Sequence, residues 1–136
     1  MVVYLEGDLG AGKTTLVRGV LRALGYSGKV KSPTYTLLES YAISNLNFIL
    51  YHFDFYRFTD PDEFLEAGLD EFFGATDCCL VEWPDKAGAH VPPADLRVQL
   101  EIEGEGRICH LRAGSPRGRA CLERLSGAAA RGGADS

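Results

Sequence analysis

A chain of 136 residues has room for one compact domain and excludes a multidomain enzyme. With 46% hydrophobic and 24% charged residues it has the composition of an ordinary soluble protein; it lacks the run of roughly 18 uncharged apolar residues that a spanning helix needs, and the short, uncharged start Met1 to Leu5 is no signal peptide, so a cytoplasmic location is expected. A formal net charge of -5 argues against broad electrostatic capture of nucleic acid, although residues 107–136 carry six of the arginines and only Glu123 and Asp135 as acids. In chain order, Val2 to Leu5 is apolar throughout, as a strand buried on both faces should be, and a glycine-rich turn follows it. From Lys13 to Leu24 the apolar residues Leu16, Val17, Val20, Leu21 and Leu24 recur at helical spacing, with Gly25 as the stop. Thr34 to Ile43 and Phe48 to Phe55 read as a hairpin joined by Ser44-Asn45-Leu46-Asn47. Asp60 reads as the N-cap of a short surface helix that Gly68 ends. Cys78 to Trp83 is a compact apolar strand, and Leu96 to Glu103 with Arg107 to Ala113 forms a second hairpin around Gly104-Glu105-Gly106. Pro116 to Leu125 closes the domain as a helix, leaving residues 127–136, rich in Ala, Gly and Arg, as an expected disordered tail after a domain spanning 1–126. Cys78, Cys79, Cys109 and Cys121 show no CxxC spacing and read as reduced small core residues.

The feature that carries chemistry is Gly7-Asp8-Leu9-Gly10-Ala11-Gly12-Lys13-Thr14, a GxxxxGK[ST] pattern between an apolar strand and an amphipathic helix. Glycines there allow backbone angles that turn successive N–H groups inward, making a nest for phosphate oxygens at the positive end of a helix. Lys13 is placed to neutralise the β and γ phosphates of a nucleoside triphosphate, and the Thr14 hydroxyl suits Mg²⁺, a cation that prefers oxygen. Hydrolysis needs in addition a metal-positioning acid and a group that orients water. Glu82 ends the run Cys78 to Val81, and Asp54 ends the run Phe48 to Phe53; strand-end spacing leaves open which acid takes which task. His52 reads as a hydrogen-bonded structural histidine. Ser32 to Thr36 reads as a proline-bounded strand entry, at the position of a mobile switch segment in many P-loop proteins, and Trp83 reads as core filler.

Gly-Asp-Leu-Gly-Ala-Gly-Lys-Thr-Thr at 7–15, Lys-Ser-Pro-Thr-Tyr-Thr-Leu at 31–37, Tyr-His-Phe-Asp-Phe-Tyr-Arg at 51–57 and Val-Glu-Trp-Pro-Asp at 81–85 together resemble the TsaE family, formerly YjeE, in order and spacing. The resemblance covers residues 1 to about 125 and implies a small bacterial ATPase required for making threonylcarbamoyladenosine in tRNA. It further implies that Asp8, Leu9, Gly10, Ala11, Gly12, Lys13, Thr14 and Thr15 bind the phosphates of ATP, that Thr14 and Glu82 hold Mg²⁺, and that Asp54 and the Thr34 segment are catalytic or switch elements beside Lys13. Arg107 matches a family position that touches nucleotide, and Trp83 becomes a site-adjacent residue. The implied partners are the TsaD and TsaB proteins, with tRNA engaged only indirectly and no membrane involved. Family members carry a further segment ahead of the P-loop strand; this sequence begins at that strand, so an incomplete base pocket and an exposed sheet edge are expected.

The expected fold is therefore an α/β, P-loop NTPase-like three-layer domain, with a largely parallel core sheet and added antiparallel hairpins. The expected function is Mg²⁺-dependent ATP binding and slow hydrolysis, stimulated in a complex. A small-molecule phosphotransferase and a non-hydrolytic nucleotide-dependent binding module are the alternatives, and an RNA-binding function for Arg107 to Arg131 is a third.

Overall fold

The computed structural model describes residues 1–7, 12–74 and 77–135, with side chains through Gly127. Six strands form one sheet in the order β2-β3-β4-β1-β5-β6. They are β1 (Val2–Glu6), β2 (Leu38–Ile43), β3 (Phe48–Asp54), β4 (Cys78–Glu82), β5 (Leu96–Glu103) and β6 (Gly106–Ala113). The four central strands β3, β4, β1 and β5 run parallel, and β2 and β6 pair antiparallel to the outermost of these, as the two hairpin patterns require. This is the mixed α/β, mostly parallel architecture that the alternation of strand and helix patterns implies.

Because β1 lies between β4 and β5, its alternate side chains feed two separate apolar layers. Val3 and Leu5 join Val17 and Leu21 of α1 (Lys13–Ala23) on one face. Tyr4 joins Phe53, Phe55, Phe64 and Val81 on the other, covered by the excursion from Phe55 to Ala94. Helices and turns therefore cover both faces, giving three layers. The excursion contains α2 (Glu63–Glu66), a 3₁₀ turn at Leu69–Phe72 and two short turns across Gly88 within Pro84–His90. Asp60 caps this segment as expected: its Oδ1 accepts the Asp62 N–H at 2.9 Å, and Glu63 Oε2 accepts the Thr59 and Asp60 N–H groups at 2.7 and 3.0 Å, the reciprocal bonds of a capping box. The first carbonyls, of Asp60 and Pro61, bond three residues on rather than four, so the α-helix proper is the single turn Glu63–Glu66, and Gly68 at φ 70° follows it.

Helix α1 ends as its sequence predicts: Gly25, at φ 92°, donates to the Arg22 carbonyl, and the Tyr26 N–H reaches back to Leu21 at 2.9 Å. The first hairpin begins later than the pattern suggests, at Leu38 rather than Thr34. Leu37 sits at φ 68° and breaks the extension, so residues 34–37 curl over the end of β3. Cys79 is buried, with burial pushing its thiol up to about 12, and all four cysteines are free. Cys109 is exposed, against the expectation of a core position, because it lies on the edge strand β6, where Leu111 is exposed as well.

Helix α3 (Pro116–Asp135) is tied to the sheet at its first turn. Ser115 Oγ accepts the Gly118 N–H at 3.1 Å as an N-cap and donates to Asp95 Oδ1 at 2.7 Å, while Asp95 Oδ2 accepts the Val2 N–H at 2.8 Å. Pro116 occupies the first helical position, where a missing N–H costs nothing. The helix expected to end at Leu125 continues in backbone to Asp135, across most of the expected disordered tail. Ala128 to Arg131 are among the stronger helix formers and carry it on.

The junction leaves no space at Gly118, where a Cβ would lie 1.6 Å from the Asp95 carbonyl oxygen, whereas Gly19 in α1 faces open space. Gly118→Ala should lower stability by about 2 kcal/mol or more through overpacking, and Gly19→Ala should raise it by roughly 0.5–1 kcal/mol through a less flexible unfolded chain. Urea unfolding midpoints of the two variants check both signs.

Candidate functional site

The carboxyl ends of three adjacent parallel strands converge on the start of α1. Register places Leu5 of β1 opposite Glu82 of β4, and Glu82 opposite Asp54 of β3, so two acids lie side by side at the edge where β1 turns into the glycine loop. Gly7 and Gly12, at φ 150° and 98°, hold backbone conformations that favour glycine, and the Gly12 carbonyl accepts the Leu16 N–H at 2.9 Å to open the helix. Asp8, Leu9, Gly10 and Ala11 lie outside the described residues. Lys13, Thr14 and Thr15 form the first turn of α1.

Lys13 is only 6% exposed, and its Nζ donates to the Gly7 carbonyl at 2.8 Å. The ammonium also stands 3.6 Å from Glu82 Oε1 and 4.4 Å from the centre of the Trp83 ring. Trp83 reaches that place from a backbone at φ 55° and ψ 51°, which is costly for a bulky residue, and its partly buried indole lies between the Lys13 ammonium and the apolar cluster around Phe53 and Val81. Its ring is tilted against Tyr56, with centroids 5.2 Å apart, so Trp83 both borders the site and packs on the core.

Glu82 is buried, and its second oxygen, Oε2, lies 2.5 Å from His52 Nε2. Leu50, His52 and Asp54 alternate regularly along β3, so His52 and Asp54 share one face. Asp54 is buried too; its Oδ1 accepts the Tyr56 N–H at 2.9 Å and its Oδ2 faces Thr34 Oγ1 at 3.5 Å. Thr34 is 2.8 Å from Ser32 Oγ. Burial pushes the Asp54 carboxyl above its ordinary value and the neighbouring Glu82 adds to this, against the Tyr56 N–H, His52 and Lys13.

Arg107 comes from the far hairpin. A methyl group on Gly12 would stand 3.9 Å from its Nε, so β6 brings this guanidinium over the end of the glycine loop. A cavity of about 470 Å³ opens beside Lys13, lined in part by Tyr4, Gly7, Trp83, Asp85 and Arg97. The structure thus unites Gly12, Lys13, Asp54, Glu82, Thr34 and Arg107 in one place, with Thr14 in the same helical turn as Lys13. Sequence spacing did not reveal the His52–Glu82 contact; only the alternation along β3 hinted at it.

The donors at this edge are oxygens: the Thr14 hydroxyl and the Glu82 and Asp54 carboxylates. They fit Mg²⁺, which keeps several waters, takes phosphate oxygens and needs no all-protein cage. Among the described residues no group of three His, Cys, Asp or Glu side chains forms such a cage.

Because the folded-state Asp54 carboxyl is raised, the stability it contributes is fully present below the ordinary carboxylate value near 3.8 and is lost as pH rises through the folded value. Asp54→Asn, which keeps an acceptor for the Tyr56 N–H, should therefore melt a few degrees above the parent at pH 7, with the difference closing as pH falls toward 4. Calorimetric melts across that range check it.

The family model for threonylcarbamoyl adenosine biosynthesis protein TsaE matches residues 1–109. A relative from Haemophilus influenzae, tRNA threonylcarbamoyladenosine biosynthesis protein TsaE, is 43% identical over 126 residues, covering 93% of this chain and 78% of its own. The Bacillus subtilis protein of the same name is 42% identical over 104 residues, covering 76% of this chain and 63% of its own. The crystal structure of Bacillus subtilis YdiB superposes with a TM-score of 0.74 at 35% identity, over 92% of this chain and 76% of that one. With Lys13, Thr34, Asp54 and Glu82, one residue from each of the four motifs, meeting at one strand edge, and with relatives matching over most of its length, the chain belongs to the TsaE family.

Proposed function

We propose that this protein binds ATP with Mg²⁺, hydrolyses it slowly alone, and so supports the threonylcarbamoyladenosine modification of tRNA by acting on a TsaB–TsaD complex in the cytoplasm. One observation carries the reading: a buried lysine at a glycine-loop helix start stands 3.6 Å from a strand-end carboxylate, with a second buried carboxylate in register beside it. Such an edge is suited to hold a triphosphate, a cation and a water at once. The family membership supports the pathway. No helix among the described residues is long and apolar enough to cross a membrane.

In this mechanism the N–H groups of residues 8–13 and the Lys13 ammonium hold the β and γ phosphates, and Arg107 reaches them from β6. Thr14 and Glu82 would hold Mg²⁺, which supplies neutralisation of charge on the phosphoryl oxygens. Asp54, made more basic by burial, orients a water and takes its proton as the water oxygen bonds to the γ-phosphorus and the bond to the β–γ bridging oxygen breaks. The products are ADP, phosphate and a proton. Thr34 and Ser32, curled over Asp54, close that side of the site. The acidic body leaves tRNA to the partners.

The cavity of about 470 Å³ beside Lys13 favours one alternative, a phosphotransferase in which a small acceptor replaces water. Phosphate release should separate these readings. The parent should release phosphate with Mg²⁺ and faster with TsaB and TsaD, Lys13→Ala and Glu82→Ala should abolish turnover, and Asp54→Asn should keep nucleotide affinity while losing about 10²-fold or more in rate. Equal release by all four proteins contradicts the ATPase reading, complex function retained with Asp54→Asn indicates a binding module, and a phosphorylated metabolite in place of free phosphate indicates the phosphotransferase.

A further inference from the structure

His52 is fully buried on β3, within the apolar layer that contains Leu50 and Leu80. Its Nε2 lies 2.5 Å from Glu82 Oε2, and among the described residues its Nδ1 has no hydrogen-bond partner. A carboxylate only accepts, so Nε2 carries the proton and donates it to Glu82. Burying a ring with one unpaired nitrogen is unfavourable, and an apolar side chain of similar volume would fill the layer without that cost. Packing therefore gives no reason for a histidine here, whereas the bond to Glu82 does.

A glutamate has three rotatable side-chain bonds, and at a strand end an untethered carboxylate samples several orientations. The His52 bond holds Oε2 inward, so that Oε1 is the oxygen turned toward Lys13, at 3.6 Å. We propose that His52 is a positioning residue that fixes the Glu82 carboxylate in the orientation that ligates a divalent cation next to bound nucleotide. This rests on the nucleotide and cation reading of the site given above and adds to it the side chain that prepares the ligand. Hydrogen-bond partners behind metal ligands commonly change metal affinity by 10–100-fold when removed.

Three variants test it. His52→Gln keeps a side-chain N–H at about the reach of Nε2, His52→Asn stops at the level of Nδ1, and His52→Leu fills the layer without a donor. Mn²⁺ binding to the protein–ADP complex is read from the electron paramagnetic resonance signal of free Mn²⁺, and ADP affinity is measured separately by calorimetry in EDTA. The expected result is a tenfold or greater loss of Mn²⁺ affinity in His52→Leu and His52→Asn, ADP affinity in EDTA within about threefold of the parent, and recovery in His52→Gln. If His52→Leu does not fold, the comparison of His52→Asn with His52→Gln decides alone. Unchanged Mn²⁺ affinity in His52→Leu and His52→Asn, neither of which reaches Glu82 with a donor, overturns the proposal, as does an equal loss of ADP affinity in EDTA, which would mark a general structural effect. A parent protein that binds neither ADP nor Mn²⁺ overturns the nucleotide reading itself, and that result appears before any variant is compared.

Discussion

Most of the site's arrangement depends on the Glu82 carboxylate. One of its oxygens faces the buried Lys13 ammonium and the other the buried His52 ring, so a single side chain links the loop helix to the neighbouring strand. Burying a carboxylate is expensive unless its charge and its lone pairs both find partners, and here they do. Lys13 is compensated in turn by Gly7 and Glu82 and rests over Trp83. These groups form one connected network, so disturbing one member disturbs the others.

The sheet makes this possible. Three parallel neighbours ending in step place Leu5, Glu82 and Asp54 in one row, and the two apolar layers hold those strands in register. A slip of one residue would turn His52 and Asp54 to the opposite face and drive the fully buried Phe53 out of its own layer into the one packed on α1. The same packing that stabilises the domain therefore fixes which carboxylates can meet. The cost appears at Asp54, whose burial beside Glu82 pushes its carboxyl upward, so its ionised form works against the folded state.

Two residues bend the chain against their own preference near this edge. Leu37 and Trp83 both occupy the left-handed region, the first ahead of β2 and the second just after β4. The Asp54 N–H donates to the Leu37 carbonyl at 3.1 Å, and the Phe55 N–H donates to the Glu82 carbonyl at 3.1 Å, so both bends are secured by bonds to the end of β3. Through them the Thr34 segment and the indole are brought to the carboxylates, at a conformational cost the surrounding bonds maintain.

The local elements were legible in the sequence because each is governed by short-range rules: apolar runs for β1 and β4, helical spacing and Gly25 for α1, hairpin turns for the outer strands. The glycine loop with Lys13 and Thr14 was legible for the same reason, since its chemistry lies in consecutive residues. Other features are set by long-range packing and were not. Leu37 bends the chain where its neighbours suggest strand, because the curl over Asp54 outweighs local propensity. His52 read as a hydrogen-bonded structural histidine without a named partner, and only the family resemblance, not spacing, brought Trp83 and Arg107 to the site, since nothing in their spacing says that β3 lies beside β4 or that β6 reaches Gly12. Sequence by itself determined most of the strands and helices and that a GxxxxGK[ST] stretch follows β1. Only the tertiary structure decided that His52 meets Glu82 and that Asp54 lies beside it, because strand order and register are set by burial of both sheet faces together, and no local stretch contains that information.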